Sequence, residues 1–304
     1  MPIHATRRFF RKSAYLSLGL GVFAIGWSAI LVRWSAVPGL VSAFYRLAIA
    51  TLVFFPLRRV ATTPRPLDAK ARRSAVIAGI FFGADLGFFN SAVMATSATN
   101  AALLGVNAPI FVALGAWIMY GERPTARFWL GFALAFTGMV AIVGADVIMH
   151  PSFGVGDLLA ILGALCYGIY LLYVQRSRQS MDTLTFSVWS AGIGALSLLP
   201  VCLLFRLPLT GFSIRSWTAL IALALTAQVI GHLFIAQAMG KVPATLSSIV
   251  LLGQAPITAM LAWPLLGERP RIGQMLGGAL VLAGIMVVNL RPAARAPALR
   301  AEAA

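Results

Sequence analysis

Ten runs of about twenty apolar residues, separated by short polar joints, fill this chain from residue 14 to residue 290. A hydrocarbon core about 30 Å thick is crossed by about 20 helical residues at 1.5 Å each. The runs fall at 14–34, 39–57, 74–95, 98–120, 127–145, 155–175, 183–205, 215–239, 244–266 and 272–290, five in each half. Inside lipid a spanning segment must satisfy its own backbone hydrogen bonds, so each run is expected to be a helix. The expected fold class is therefore an all-α integral membrane protein with ten transmembrane helices. Mean hydropathy of +0.89, with 60% apolar and only 11% charged residues, leaves too little charge to cover a water-soluble chain of 304 residues.

A second feature divides those ten runs in two. Gly121-Glu122-Arg123-Pro124 recurs as Gly267-Glu268-Arg269-Pro270. At the same offset Ala116-Trp117 answers Ala262-Trp263, Gly131 answers Gly277, and Gly138 answers Gly284. Ala98-Thr99 likewise answers Ala244-Thr245, and Ala108-Pro109-Ile110 matches Ala255-Pro256-Ile257 after a one-residue slip. Five helices is an odd number, so a second copy enters the membrane from the opposite face. The expected domains are a basic N-terminus (1–13), two inverted five-helix repeats (14–147 and 155–290) and a C-terminal tail (291–304). Such duplicated bundles are a common design of secondary transporters, in which exchange of the halves' roles gives alternating access.

Charge sets the expected orientation. With the N-terminus inside, 18 of the 24 Lys and Arg residues fall on cytoplasmic segments, including Arg7, Arg8, Arg11, Lys12, Arg58, Arg59, Lys70, Arg72 and Arg73. Only Arg33, Arg206, Arg215, Arg269 and Arg271 fall outside. Both termini are expected in the cytoplasm of a bacterial-type inner (plasma) membrane. The net charge of +16 is spread between apolar runs, not gathered on one element, so nucleic acid is not an expected partner. Arg7-Arg8 before an apolar stretch resembles a twin-arginine export signal, but further apolar runs follow at once, which suits an uncleaved first span. Cys166 and Cys202 lie inside apolar runs and imply no disulfide framework. The sequence has no phosphate-loop motif and no metal-ligand cluster, so no cofactor, ATP hydrolysis or metal is expected.

Several motifs together resemble the EamA-type exporters of the drug/metabolite transporter superfamily. They are the five-plus-five duplication, Pro109 and Pro256 in the fourth and ninth spans, and the two Gly-Glu-Arg-Pro turns. Phe44-Tyr45-Arg46 in span two and Gly156-Asp157-Leu158-Leu159-Ala160 opening span six belong to the same set. The resemblance covers about residues 14–290. It implies a secondary carrier that exports small metabolites such as aromatic or neutral amino acids.

Candidate site residues are the polar groups inside apolar runs. A charge at mid-bilayer costs at least ~2.5–3.5 kcal/mol, so Arg46 and Asp85 must face protein or water. They lie roughly 10 Å and 15 Å from the outer surface at helical rise, close enough to meet. One reading is a buried structural ion pair. The other makes Asp85 a site for a proton or a substrate amine, in competition with Arg46. Asn107 and Gln254 each stand two residues before a proline, beside an expected helix irregularity near the midplane, where transporter sites are found. Helix kinks without substrate contact are the alternative. Gln228 and His232, four apart, share a helix face, either as interhelical hydrogen bonders or as a titratable pair. Trp27 and Tyr167 occupy comparable places in the opening span of each half and are candidates to line a cavity. Asn90, Asn100 and Gln237 are expected in packing roles. Glu122, Arg123, Glu268 and Arg269 belong to helix-to-helix turns, with a gate at the mouth of the path as the alternative.

The expectation is a non-enzymatic carrier in the bilayer that moves a small amphipathic solute by alternating access, with a proton as a candidate coupling ion. The rival readings are a membrane-embedded enzyme acting on a lipid-linked substrate and a passive channel. Oligomeric state and net direction of flux are not legible in the sequence.

Overall fold

Residues 3–62, 68–95, 107–149, 154–266 and 272–289 are described by a computed structural model, and all regular structure among them is helical. Helices α1 (Ile3–Gly26) and α2 (Ser28–Ser35) share the first span. They are followed by α3 (Gly39–Ala61), α4 (Ala69–Ala95), α5 (Ala108–Tyr120), α6 (Ala126–Met149), α7 (Val155–Ser177) and α8 (Thr183–Leu204). The eighth span is built from α9 (Ile214–Leu223), a π-helical segment (Ala224–His232) and α10 (Leu233–Met239). The ninth is α11 (Ala244–Leu251) and α12 (Gln254–Leu266), and the tenth is α13 (Ile272–Asn289). The ten apolar runs are thus ten spans of a multi-pass membrane protein.

Apolar side chains point outward as well as inward. Leu16, Leu52, Ile80, Ile118, Leu196 and Met286 are exposed, as lipid-facing residues must be. The ends of the spans carry conventional signals. Asp182 caps α8 by accepting a hydrogen bond from the Thr185 N–H at 2.9 Å, and Ser213 caps α9 through the Ser216 N–H at 3.1 Å. Asp157, near the start of α7, accepts from the Gly154 N–H at 2.8 Å. Gly121 ends α5 at φ +70°, a conformation that favours glycine, and its N–H donates to the Trp117 carbonyl. Glu122 and Arg123 follow it on the exposed turn. The answering turn with Glu268 and Arg269 lies outside the described residues, as does Asn100.

Two contacts position the halves of the chain. Helices α6 and α13 meet where Gly131 faces Gly284 and Gly138 faces Gly277. A Cβ on Gly131 would lie 2.7 Å from the Gly284 carbonyl oxygen, and one on Gly138 would lie 2.7 Å from the Val281 nitrogen. Small residues at this crossing let backbones touch, the usual glue between membrane helices. Because the earlier glycine of one helix meets the later glycine of the other, α6 and α13 run antiparallel. The second contact is reciprocal in the same way. Gly26 packs against Gln254 and Ile257 of the ninth span, and Gly168 packs against Ala108 and Phe111 of the fourth.

Among the described residues, three spans depart from regular helix. The first breaks at Trp27, between α1 and α2, where one continuous helix over 14–34 was expected. The Gly26 carbonyl at that break accepts a hydrogen bond from the Thr258 hydroxyl at 2.7 Å. The eighth widens into the π-helix, and the ninth is interrupted at Leu252-Gly253, immediately before Gln254. That last irregularity is the one Pro256 predicts.

Candidate functional site

Arg46 is the most constrained polar group in the interior. Only 2% of its surface is exposed, so its charge is removed from both water and lipid. Its Nε donates to Gln228 Oε1 at 3.1 Å and its Nη1 donates to Ser28 Oγ at 2.9 Å. One guanidinium therefore ties α3 to the eighth span and to the first turn of α2. A guanidinium has five N–H donors, so these two bonds leave others available for a further acceptor.

Gln228 and His232 both face Arg46 from the π-helical segment. His232 Nδ1 lies 2.9 Å from the Ala227 carbonyl oxygen, five residues back, the spacing of a π-turn. A carbonyl can only accept, so Nδ1 carries the proton and Nε2 is the ring's acceptor. The Arg46 Nη2 atom, 3.4 Å from the same nitrogen, then packs against it without a hydrogen bond. Gln228 is 3% exposed and His232 6%, so this face of the eighth span is closed to lipid.

Asp85 occupies a different environment. It is 8% exposed and lies within electrostatic range of Arg46 on α3 and of Cys166, Tyr167 and Tyr170 on α7. The direct Arg46–Asp85 ion pair that their similar depths suggested is not formed; no nitrogen–oxygen approach within 4.0 Å joins them. Depth along a helix fixes height in the bilayer but not the direction a side chain faces, and Arg46 faces Gln228 and Ser28 instead.

Aromatic rings wall this region. Phe82, one turn before Asp85 on α4, stacks on Tyr170 with ring centroids 4.3 Å apart and an interplanar angle of 12°. Tyr170 stacks in turn near Tyr167 at 5.7 Å, and Phe82 also lies 4.7 Å from the His232 ring. The sequence offers Tyr167 as a candidate. Phe82, Tyr170 and Ser28 do not stand out in it, because aromatic and serine side chains are common in apolar runs.

The remaining candidates border this cluster. Gln254 begins α12 against Gly26, next to the Trp27 break and Ser28. Asn107 precedes α5, whose first residue Ala108 packs on Gly168, next to Tyr167. Trp27 is half-buried and packs with Leu31, Val32, Leu223 and Ala227. Asn90 bonds Ser42 Oγ at 2.9 Å and the Gly39 carbonyl at 3.3 Å, a packing role between α4 and α3. Gln237 is exposed. Among the described residues no group of three or more His, Cys, Asp or Glu side chains is placed to hold a metal.

The arrangement brings two buried opposite charges and a stack of aromatic rings into one neighbourhood. Arg46, held by neutral partners, has N–H donors to spare, and among the described residues no cation lies within ion-pair distance of Asp85. The rings offer apolar faces and, for a cation, attractive π-clouds.

Known proteins of similar sequence carry the argument from site to family. The chain is 26% identical over 223 residues to the uncharacterized transporter YyaM of Bacillus subtilis (strain 168), covering 71% of this chain and 72% of that one. It is 26% identical over 285 residues to YdfC of the same organism, another uncharacterized transporter, covering 90% of each. A Streptantibioticus cattleyicolor protein named "probable terminal-alkyne amino-acid exporter" is 26% identical over 206 residues, 65% of this chain and 66% of that one. A solved crystal structure superposes with a TM-score of 0.77 over 92% of this chain and 97% of its own at 19% identity, which speaks for the fold alone. The model of the EamA-like transporter family matches twice, over residues 12–144 and 154–290. Those two matches take in all ten spans and every residue of the polar cluster, and by them this chain belongs to the EamA-like transporter family.

Proposed function

We propose that this transporter exports small amphipathic amines that also carry a carboxylate, neutral or aromatic amino acids foremost, across the plasma membrane by alternating access. The observation that carries the reading is the division of labour between two buried charges. Arg46 is anchored by Gln228 and Ser28, while Asp85, among the described residues, has no cation within ion-pair distance and lies beside stacked rings. In this reading Asp85 takes the substrate ammonium, Arg46 its carboxylate, and Phe82, Tyr170 and Tyr167 its side chain. The exporter name of the Streptantibioticus relative supports the same cargo class.

Alternating access requires two halves that can exchange roles. We take residues 14–147 and 155–290 as inverted repeats, with both termini cytoplasmic. The reciprocal glycine contacts of α6 with α13 support this, as do the matching contacts of Gly26 and Gly168. The excess of Lys and Arg on one set of loops supports the orientation. Cysteine accessibility at positions 124 and 270 tests it: opposite sides of the membrane are expected, and labelling from the same side ends the inverted arrangement.

Function is tested with purified protein in liposomes. Saturable counterflow of a labelled neutral or aromatic amino acid is expected. Flux that rises linearly without counterflow would instead mark a channel, and covalent turnover an enzyme. Asp85→Asn is expected to lower counterflow at least about 100-fold, the loss of a charge-assisted contact of roughly 3 kcal/mol, in protein that still purifies folded. Counterflow at the wild-type level in that variant would remove Asp85 from the substrate path.

A further inference from the structure

A groove lies on the outside of the bundle, on the same helix that carries Asp85. Ala69, Arg72, Arg73, Val76 and Ile77 of α4 follow one another at helical spacing and, with Trp189 of α8, line a groove of about 440 Å³. That volume is within the range of small-ligand sites. The groove lies between α4 and α8. The two helices are pressed together at Gly79, where a Cβ would lie 2.9 Å from the Ser190 carbonyl oxygen, and Trp189 stands just beside that contact.

The lining is polarised along its length. Arg72 and Arg73 are exposed at the end of α4 nearer its start, Val76 and Ile77 are half-buried, and Ile80, which continues the stripe, is 46% exposed. Among the described residues neither arginine forms an ion pair with a carboxylate. The carboxylate of Asp68, just before α4, accepts a hydrogen bond from the Lys70 N–H. From Arg72 to Ile80 the stripe descends about 12 Å at 1.5 Å per residue, most of the depth of one leaflet's hydrocarbon. Cationic groups at the surface and an apolar channel below them, walled on one side by Trp189, match one kind of molecule end to end.

We propose that this groove binds an anionic phospholipid, its phosphate between Arg72 and Arg73 and an acyl chain along Val76, Ile77 and Trp189. Basic residues near a membrane surface attract anionic headgroups, and the indole of Trp189 offers an apolar face at acyl-chain depth. The site is independent of the transport cargo, since no residue of the Arg46–Asp85 cluster lines it.

The test uses the full-length protein in neutral detergent and phosphatidylglycerol brominated on its acyl chains, which quenches nearby tryptophan fluorescence. Saturable quenching is expected, with the saturable component absent in Trp189→Phe. The double variant Arg72→Gln/Arg73→Gln is expected to bind at least about tenfold more weakly, two surface charges being removed. A control of equal charge loss, Arg127→Gln/Arg215→Gln, is expected to bind as wild type. Brominated phosphatidylcholine is expected to give no saturable phase, and excess inorganic phosphate no displacement. The proposal is overturned by equal quenching from phosphatidylcholine, by wild-type binding in the Arg72/Arg73 variant, or by equal weakening in the control. Displacement by inorganic phosphate would overturn it too, since it would assign the arginines to a free anion.

Discussion

The crossing of α6 and α13 and the region around Arg46 solve opposite problems in the same bilayer. At the crossing, regular helices meet through glycines, and the contact is backbone on backbone. Around Arg46 the backbone is irregular: broken at Trp27, widened over Ala224–His232 and interrupted before Gln254. Hydrocarbon tolerates irregular backbone only where protein or a cavity shields it. The contrast therefore separates a structural seam from the place where polar groups gather, and it does so from backbone form before any side chain is considered.

The largest expected effect breaks the seam. Gly138→Leu would press a Cβ to 2.7 Å from the Val281 nitrogen, an atom that cannot move without its helix. A loss of about 3 kcal/mol or more is expected from such overpacking, seen as reduced folded yield and a lower melting temperature in detergent. Unchanged melting would mean that the crossing is not tight.

On the irregular side, Gln228→Leu removes the acceptor of Arg46 Nε and leaves a buried charged donor unpaired. A cost of about 1.5–3 kcal/mol is expected from hydrogen bonds to charged groups, together with weakened substrate counterflow. The Gly138 variant, by contrast, should fail by misfolding. A Gln228→Leu protein with normal counterflow and melting would show that Ser28 alone suffices to hold the guanidinium. A smaller loss, about 1 kcal/mol, is expected for Thr258→Val, which deprives the Gly26 carbonyl of its donor at the first-span break.

The smallest effect tests the turn that leads into the seam. Although Glu122 stands on an exposed turn, partial desolvation of its carboxyl there raises it above its ordinary value of 4.5. An acid that holds its proton more tightly when folded destabilises the fold as pH rises from that ordinary value through the raised one. Below both values the penalty is absent, and above both it is complete. Glu122→Gln is expected to raise the melting temperature slightly at neutral pH and not at pH 4; an equal change at both would remove the carboxyl as the cause.

The sequence and the structure diverge at identifiable points. The ten spans were legible because twenty-residue apolar runs have one physical reading in lipid. Arg46, Asp85, Gln228 and His232 stood out because a polar side chain inside such a run is expensive, and the structure gathers them into one neighbourhood. Their partnerships were not legible. Helical rise gave Arg46 and Asp85 similar depths but said nothing about azimuth; of the two readings left open, the direct ion pair is not formed, and Arg46 bonds Gln228 and Ser28. The π-helix escaped because hydrophobic patterning does not distinguish i→i+5 bonding inside a uniformly apolar run. The helix break at Trp27 escaped for a related reason: Gly26-Trp27-Ser28 has no proline to announce it. The prolines did announce the interruption ahead of Gln254.

The glycine crossing also has a practical use. A junction made of main chain has no rotamers to rearrange, so spin labels flanking it on α6 and α13 should report one fixed separation throughout a transport cycle. That pair would serve as the internal ruler against which movement elsewhere is measured.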